Sequence, residues 1–135
     1  MNRLIVLIWA AGIVQLAILV ANFVVLGHLR CRENLEKVSP MIRSIFVVHW
    51  IYILLMLAIF SALCFRFAPE LAGGSRLGHF LSAAIAIFWL PRIPIQLFVY
   101  DRELRRQHRL GDAAMLLALS FVVIVFGIAA LRVRI

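Results

Sequence analysis

Four apolar runs separated by three polar connections fill most of the 135 residues. The runs cover about 4–29, 42–65, 79–100 and 113–131. Each can cross a hydrocarbon core of about 30 Å at about 1.5 Å per residue, so the pattern predicts four transmembrane helices. Only Gln15 and Asn22 break the middle of the first run. A polar loop then leads to Ser39-Pro40, a cap residue followed by a proline suited to the first helical position, which starts the second helix. The second run contains His49, Tyr52 and Ser61, and the connection 66–78 holds Pro69 and Gly73-Gly74. Asp101 to Arg106 is expected to carry the third helix out into water, with Asp101 pairing with Arg105 one turn on. Gly111 is expected to end that segment and Asp112 to cap the fourth span.

Short connections favour neighbouring antiparallel helices. The expected fold is an all-α integral membrane protein: one domain over 1–135, a four-helix up-down bundle with the third helix kinked at Pro91 and Pro94. Small residues supply candidate close-packing faces at Ala10, Ala11, Gly12, Ala17 and Ala21, at Ser82, Ala83 and Ala86, and at Ala118, Gly127, Ala129 and Ala130. Trp9 and Tyr100 fall where interfacial aromatics sit, whereas Trp50 and Trp89 lie deeper and read as packing residues.

Composition excludes a soluble domain, because apolar residues make up 65% of the chain and the mean hydropathy is +1.06. The net charge of +8 would suggest nucleic acid in a soluble protein. Here the basic residues cluster at the ends of the apolar runs, which points to anionic lipid headgroups as partners and away from nucleic acid. The first and third connections hold Arg30, Arg32, Lys37, Arg43, Arg102, Arg105, Arg106 and Arg109, eight in all, against five at the other ends, Arg3, Arg66, Arg76, Arg132 and Arg134. The excess marks the cytoplasmic side, so both termini are expected outside, in a bacterial inner (plasma) membrane. The first run lacks a convincing cleavage site and reads as a retained helix. Cys31 and Cys64 fall near opposite faces, too far apart for a disulfide within one subunit.

Measured from the expected cytoplasmic end, Asn22, His49, Arg92 and Ser120 lie seven or eight residues into their spans. That depth, about 10–12 Å, gathers one polar residue from each helix into a single layer. Gln96 and Tyr100 extend the stripe of Arg92 toward the cytosol at helical spacing. Arg92, between Pro91 and Pro94, keeps its charge under ordinary conditions and needs a partner, water or an anion. The two prolines lack amide hydrogens, which leaves the carbonyls of Ile87 and Leu90 without their usual helical donors. Arg92, Gln96, His49, Asn22, Tyr100 and Ser120 are therefore the candidate ligand-binding residues of a small hydrated cleft. The structural alternative is an arginine that snorkels along Gln96 and bonds those carbonyls.

Known membrane chemistries find little purchase. His49 and His79 differ too much in depth for a haem pair, no span carries a carboxylate well inside, and no HExxH or GxSxG motif occurs. No cofactor or metal is expected. Arg32-Glu33-Asn34 ahead of Pro40 resembles the cytoplasmic loop of the four-helix membrane proteins of eicosanoid and glutathione metabolism. That resemblance, confined to the loop, implies an alternative: a membrane-embedded enzyme, or a transporter, acting on a small lipophilic or anionic substrate through a cytoplasm-facing cleft. The favoured expectation is a non-catalytic subunit or accessory protein that forms a homo-oligomer or joins a larger membrane partner, with an anionic headgroup held near Arg92.

Overall fold

A computed structural model describes residues 3–28, 31–99 and 102–131. These residues are helical almost throughout and contain no strand. Helix α1 (Arg3–His28) leads into the short α2 (Cys31–Glu36), then α3 (Pro40–Arg66). A π-helical turn, Glu70–Gly74, precedes α4 (Arg76–Trp89); a single turn α5 (Arg92–Pro94) and a second π-helical turn, Ile95–Val99, complete the third span. After α6 (Arg102–Gln107), α7 (Arg109–Leu131) closes the chain. Four segments are long and apolar enough to cross a membrane: Arg3–Val25, Pro40–Arg66, Arg76–Val99 and Arg109–Leu131.

Local chemistry sets the helix ends. Ser39 caps α3 by accepting the Ile42 amide at 3.4 Å, with Pro40 at the first helical position. Arg43 donates to the carbonyls of Leu35 and Glu36 at 2.9 and 3.2 Å, fastening the end of α2 to the start of α3. In the third span, Pro94 cannot serve the Leu90 carbonyl, and Ile93 N–H does so instead at 3.2 Å. Helix α7 starts earlier than the expected cap at Asp112. It runs through Gly111, and Asp112 lies in its first turn with its amide bonded to the His108 carbonyl at 2.9 Å. A carboxylate is favourable there because it faces the unsatisfied amides and positive dipole end of the helix.

Helix α1 packs along α3, α4 packs along α7, and the two pairs join where α1 meets α7. The core is confined to part of each helix: Leu4 to Ile18 of α1, Leu57 to Cys64 of α3, Gly78 to Trp89 of α4, and Leu119 to Ala129 of α7. We refer to these segments as the packed half. The turn between α3 and α4 belongs to it, since Ala68 and Leu71 are fully buried. Two glycines make the contact possible. A Cβ at Gly12 would lie 2.7 Å from the Cβ of Cys64, and one at Gly78 would overlap the backbone carbonyl of Glu70. The expected small-residue faces are used selectively: Ala11, Gly12, Ser82 and Ala129 are buried, whereas Ala17 is exposed and nothing lies near Gly127.

The remaining segments, 19–25, 40–56, 92–99 and 109–118, form a loose half. Among their described residues only Gln96 is buried. Trp50 meets Phe23 edge-on at 5.4 Å between ring centroids, so even here α3 keeps to α1.

Candidate functional site

The polar residues of the third span and the start of α7 form one hydrogen-bonded chain. Arg92, half-buried, donates through Nη1 to Gln96 Oε1 at 3.1 Å, the four-residue spacing placing them on one helical face. Gln96 turns its amide outward along the same line and donates to Asp112 Oδ1 at 2.6 Å. Asp112 also receives Arg105 Nε on Oδ1 at 3.1 Å and Arg105 Nη2 on Oδ2 at 2.9 Å, a two-pronged pair with side chains 14% and 23% exposed. A third donor of Arg105, Nη1, reaches the Leu97 carbonyl at 2.9 Å. Hydrogen bonding to Asp112 holds the Arg105 guanidinium above its ordinary pKa, so it stays charged. The chain thus links the third span, α6 and α7, with Arg92 at one end and Arg105 at the other.

Arg92 and Gln96 are brought together by a direct bond. Asn22 is half-buried and donates to the Ile18 carbonyl of its own helix at 2.8 Å. His49 is exposed, and its Nδ1 lies 2.8 Å from the Ile45 carbonyl, also within its own helix. Ser120 is half-buried on α7. Tyr100 and Asp101 lie outside the described residues. Asp112 and Arg105 complete the cluster without having been singled out for it. The available signal was the position of Asp112 at the entry of a span.

A second polar node lies deep in the packed half. Gln15 is fully buried on the stripe of Leu4, Ile8, Ala11 and Ile18. Its Nε2 donates to the Ala11 carbonyl at 3.3 Å and to Cys64 Sγ at 3.4 Å, and its Oε1 accepts Trp89 Nε1 at 3.1 Å. One side chain therefore ties α1 to α3 and α4, where a misfit would leave an amide unpaired in an apolar interior. Ser82 Oγ donates to the Leu71 carbonyl at 2.8 Å, and the His79 ring meets the Ala130 carbonyl at 3.2 Å. Ser61 Oγ is buried without a hydrogen-bond partner among the described residues. None of these groups forms a nucleophile–base pair, and no three His, Cys, Asp or Glu side chains gather as a metal site among the described residues.

Helix content, span length and polar groups tucked between helices define the class: an all-α integral membrane protein built as a helix bundle. Beyond the class, no protein family, characterised protein or solved structure shows significant similarity to the chain.

Proposed function

We propose that this chain is a non-catalytic subunit or accessory protein of a membrane assembly, and that it holds an anionic lipid headgroup or another anion near Arg92. The observation that carries this reading is the make-up of the cluster. Its described members include two permanent cations, Arg92 and Arg105, and one carboxylate, Asp112, which accepts from Arg105 on both oxygens while Arg92 bonds Gln96. A guanidinium set into the end of a membrane helix favours a planar, two-pronged partner such as a phosphate or carboxylate. The interruption of the α-helix at Leu90–Pro91 supports a third helix that bends at Pro91 and Pro94, and the pairing of α1 with α3 and of α4 with α7 supports up-down connectivity. Large exposed apolar side chains along all four spans support a lateral partner, either a second copy or a larger membrane protein. The distribution of Lys and Arg supports both termini outside a bacterial inner membrane.

Lipid mass spectrometry and thermal melting of the purified protein test the headgroup reading together. Arg92→Lys keeps the charge but loses the planar fork, so retention of acidic lipid should fall while the fold survives. Arg92→Met should abolish that retention with little change in melting temperature, since Gln96 keeps its bond to Asp112. Unchanged lipid together with a marked loss of stability in Arg92→Met would contradict the reading and leave Arg92 as a structural residue.

A further inference from the structure

Two polar side chains of α3 face away from the bundle at membrane depth. Tyr52 lies near the middle of Pro40–Arg66, about 18 Å from one end and about 21 Å from the other at about 1.5 Å per residue. It is 64% exposed, and its hydroxyl has no hydrogen-bond partner among the described residues. Tyrosine is favoured at the membrane interface, where water meets the hydroxyl, and mid-span is far from either interface. One turn back, His49 is exposed as well. Its Nδ1 meets the Ile45 carbonyl at 2.8 Å and donates there, because a carbonyl only accepts. In the neutral ring Nε2 is then an acceptor, and it too has no partner among the described residues. One side of α3 therefore presents a donor and an acceptor three residues apart, where lipid tails satisfy neither. Around them Ile45, Val48, Leu55 and Ile59, all exposed, alternate at spacings of three and four residues with Tyr52 in the series. That repeat keeps a seam on one side of a helix and is the pattern along which two helices pair.

We propose that this seam is the contact between two copies of the chain, α3 against α3, with Tyr52 of each copy donating to Nε2 of the partner's His49. The proposal rests on the lateral-partner reading and names the partner. Two copies inserted the same way are related by a twofold axis along the membrane normal, so their α3 helices run parallel and every contact made by one is repeated by the other. A single pairing thus meets both donors and both acceptors. The rise over three residues is about 4.5 Å, and long side chains of a helix lean toward its N-terminus, which brings the Tyr52 hydroxyl toward the depth of His49. The competing occupants fit less well. An acyl chain offers no hydrogen-bonding group, and a headgroup lies at the surface. A foreign helix has to bring a donor and an acceptor of its own at matching depth, whereas a second copy carries both by symmetry.

The test uses the full chain in phosphatidylcholine vesicles, with the dimer fraction read by energy transfer between labelled copies as the protein is diluted into lipid. Tyr52→Phe removes one oxygen from an exposed side chain and should weaken the dimer about tenfold, the effect of losing two interhelical hydrogen bonds, while the monomer melts as before. His49→Phe should weaken it equally and the double variant no further, because both changes remove the same bonds. With Cys31 and Cys64 replaced by alanine and an oxidant added, Val48→Cys should link two copies through a disulfide. Ile53→Cys, at an equally exposed position on another side of α3, should not. A dimer that ignores both polar substitutions, or one that links through Ile53→Cys instead, would overturn the seam and leave the lateral-partner reading in place. A chain that is monomeric in vesicles but purifies from its own membranes with a different membrane protein would overturn the second copy as occupant and keep that reading. A chain that is monomeric in vesicles and purifies alone would overturn both.

Discussion

The two halves of the bundle solve the same problem in opposite ways. In the packed half, small residues bring backbones close and one fully buried amide, Gln15, is saturated by α1, α3 and α4 at once. In the loose half Asn22 and His49 bond along their own helices and Gln96 bonds Asp112 within a pair, and most described residues are exposed or half-buried. Lipid tails are as apolar as leucine, so burial alone does not draw membrane helices together. Close packing and hydrogen bonds do; the packing is concentrated in the packed half, where Trp89 also bonds Gln15 across the pairs. Two contacts across the pairs, Trp89 with Gln15 and Phe60 with Phe88, lie in the packed half.

The comparison breaks most readily with a pair of truncations. Phe126, fully buried, should cost about 3 kcal/mol when changed to Ala, because the cavity it leaves cannot be refilled by lipid. Phe98, 83% exposed, should change stability by no more than about 0.5 kcal/mol. Equal losses in a detergent melt would mean that the loose half is packed after all. Two glycines sharpen the contrast. Gly78→Ala drives a methyl group into the Glu70 carbonyl and should cost about 1–3 kcal/mol by overpacking. Gly111→Ala meets nothing within 4 Å and, inside α7, should instead stabilise by up to about 1 kcal/mol through helix propensity. A smaller effect than that of Phe126→Ala is expected at Asp112→Asn, which weakens the pair with Arg105 outside the packed half. Its melting temperature should fall far less than that of Phe126→Ala, and a matching fall would place the stabilising contacts outside the packed half.

Much of this frame was legible in the chain. The four spans follow from run length, the start of α3 from Ser39-Pro40, and the Arg92–Gln96 bond from four-residue spacing on one face. What was not legible depends on contacts between distant residues. Gln15 stood out only as a break in an apolar run; its meaning comes from Trp89, 74 residues away. Asp112 read as a helix cap because local rules see only its own backbone, whereas Gln96 and Arg105 claim its oxygens across the connection. The turn at Glu70–Gly74 resembled an ordinary polar link, yet Leu71 is buried and its carbonyl takes the Ser82 hydroxyl. The shared depth of Asn22, His49, Arg92 and Ser120 came from counting along each helix, which leaves rotation about the helix axis undetermined. His49 faces outward, so equal depth does not by itself bring side chains together.

The two ends of the bundle differ in packing, and spin-label distance measurement in nanodiscs reads that difference directly. With Cys31 and Cys64 replaced, one label pair goes on exposed Phe67 and Leu131 beside the packed half, and another on exposed Ser44 and Leu110 beside the loose half. A narrow distance distribution is expected for the first pair and a broad one for the second. Equally narrow distributions at both ends would contradict that difference.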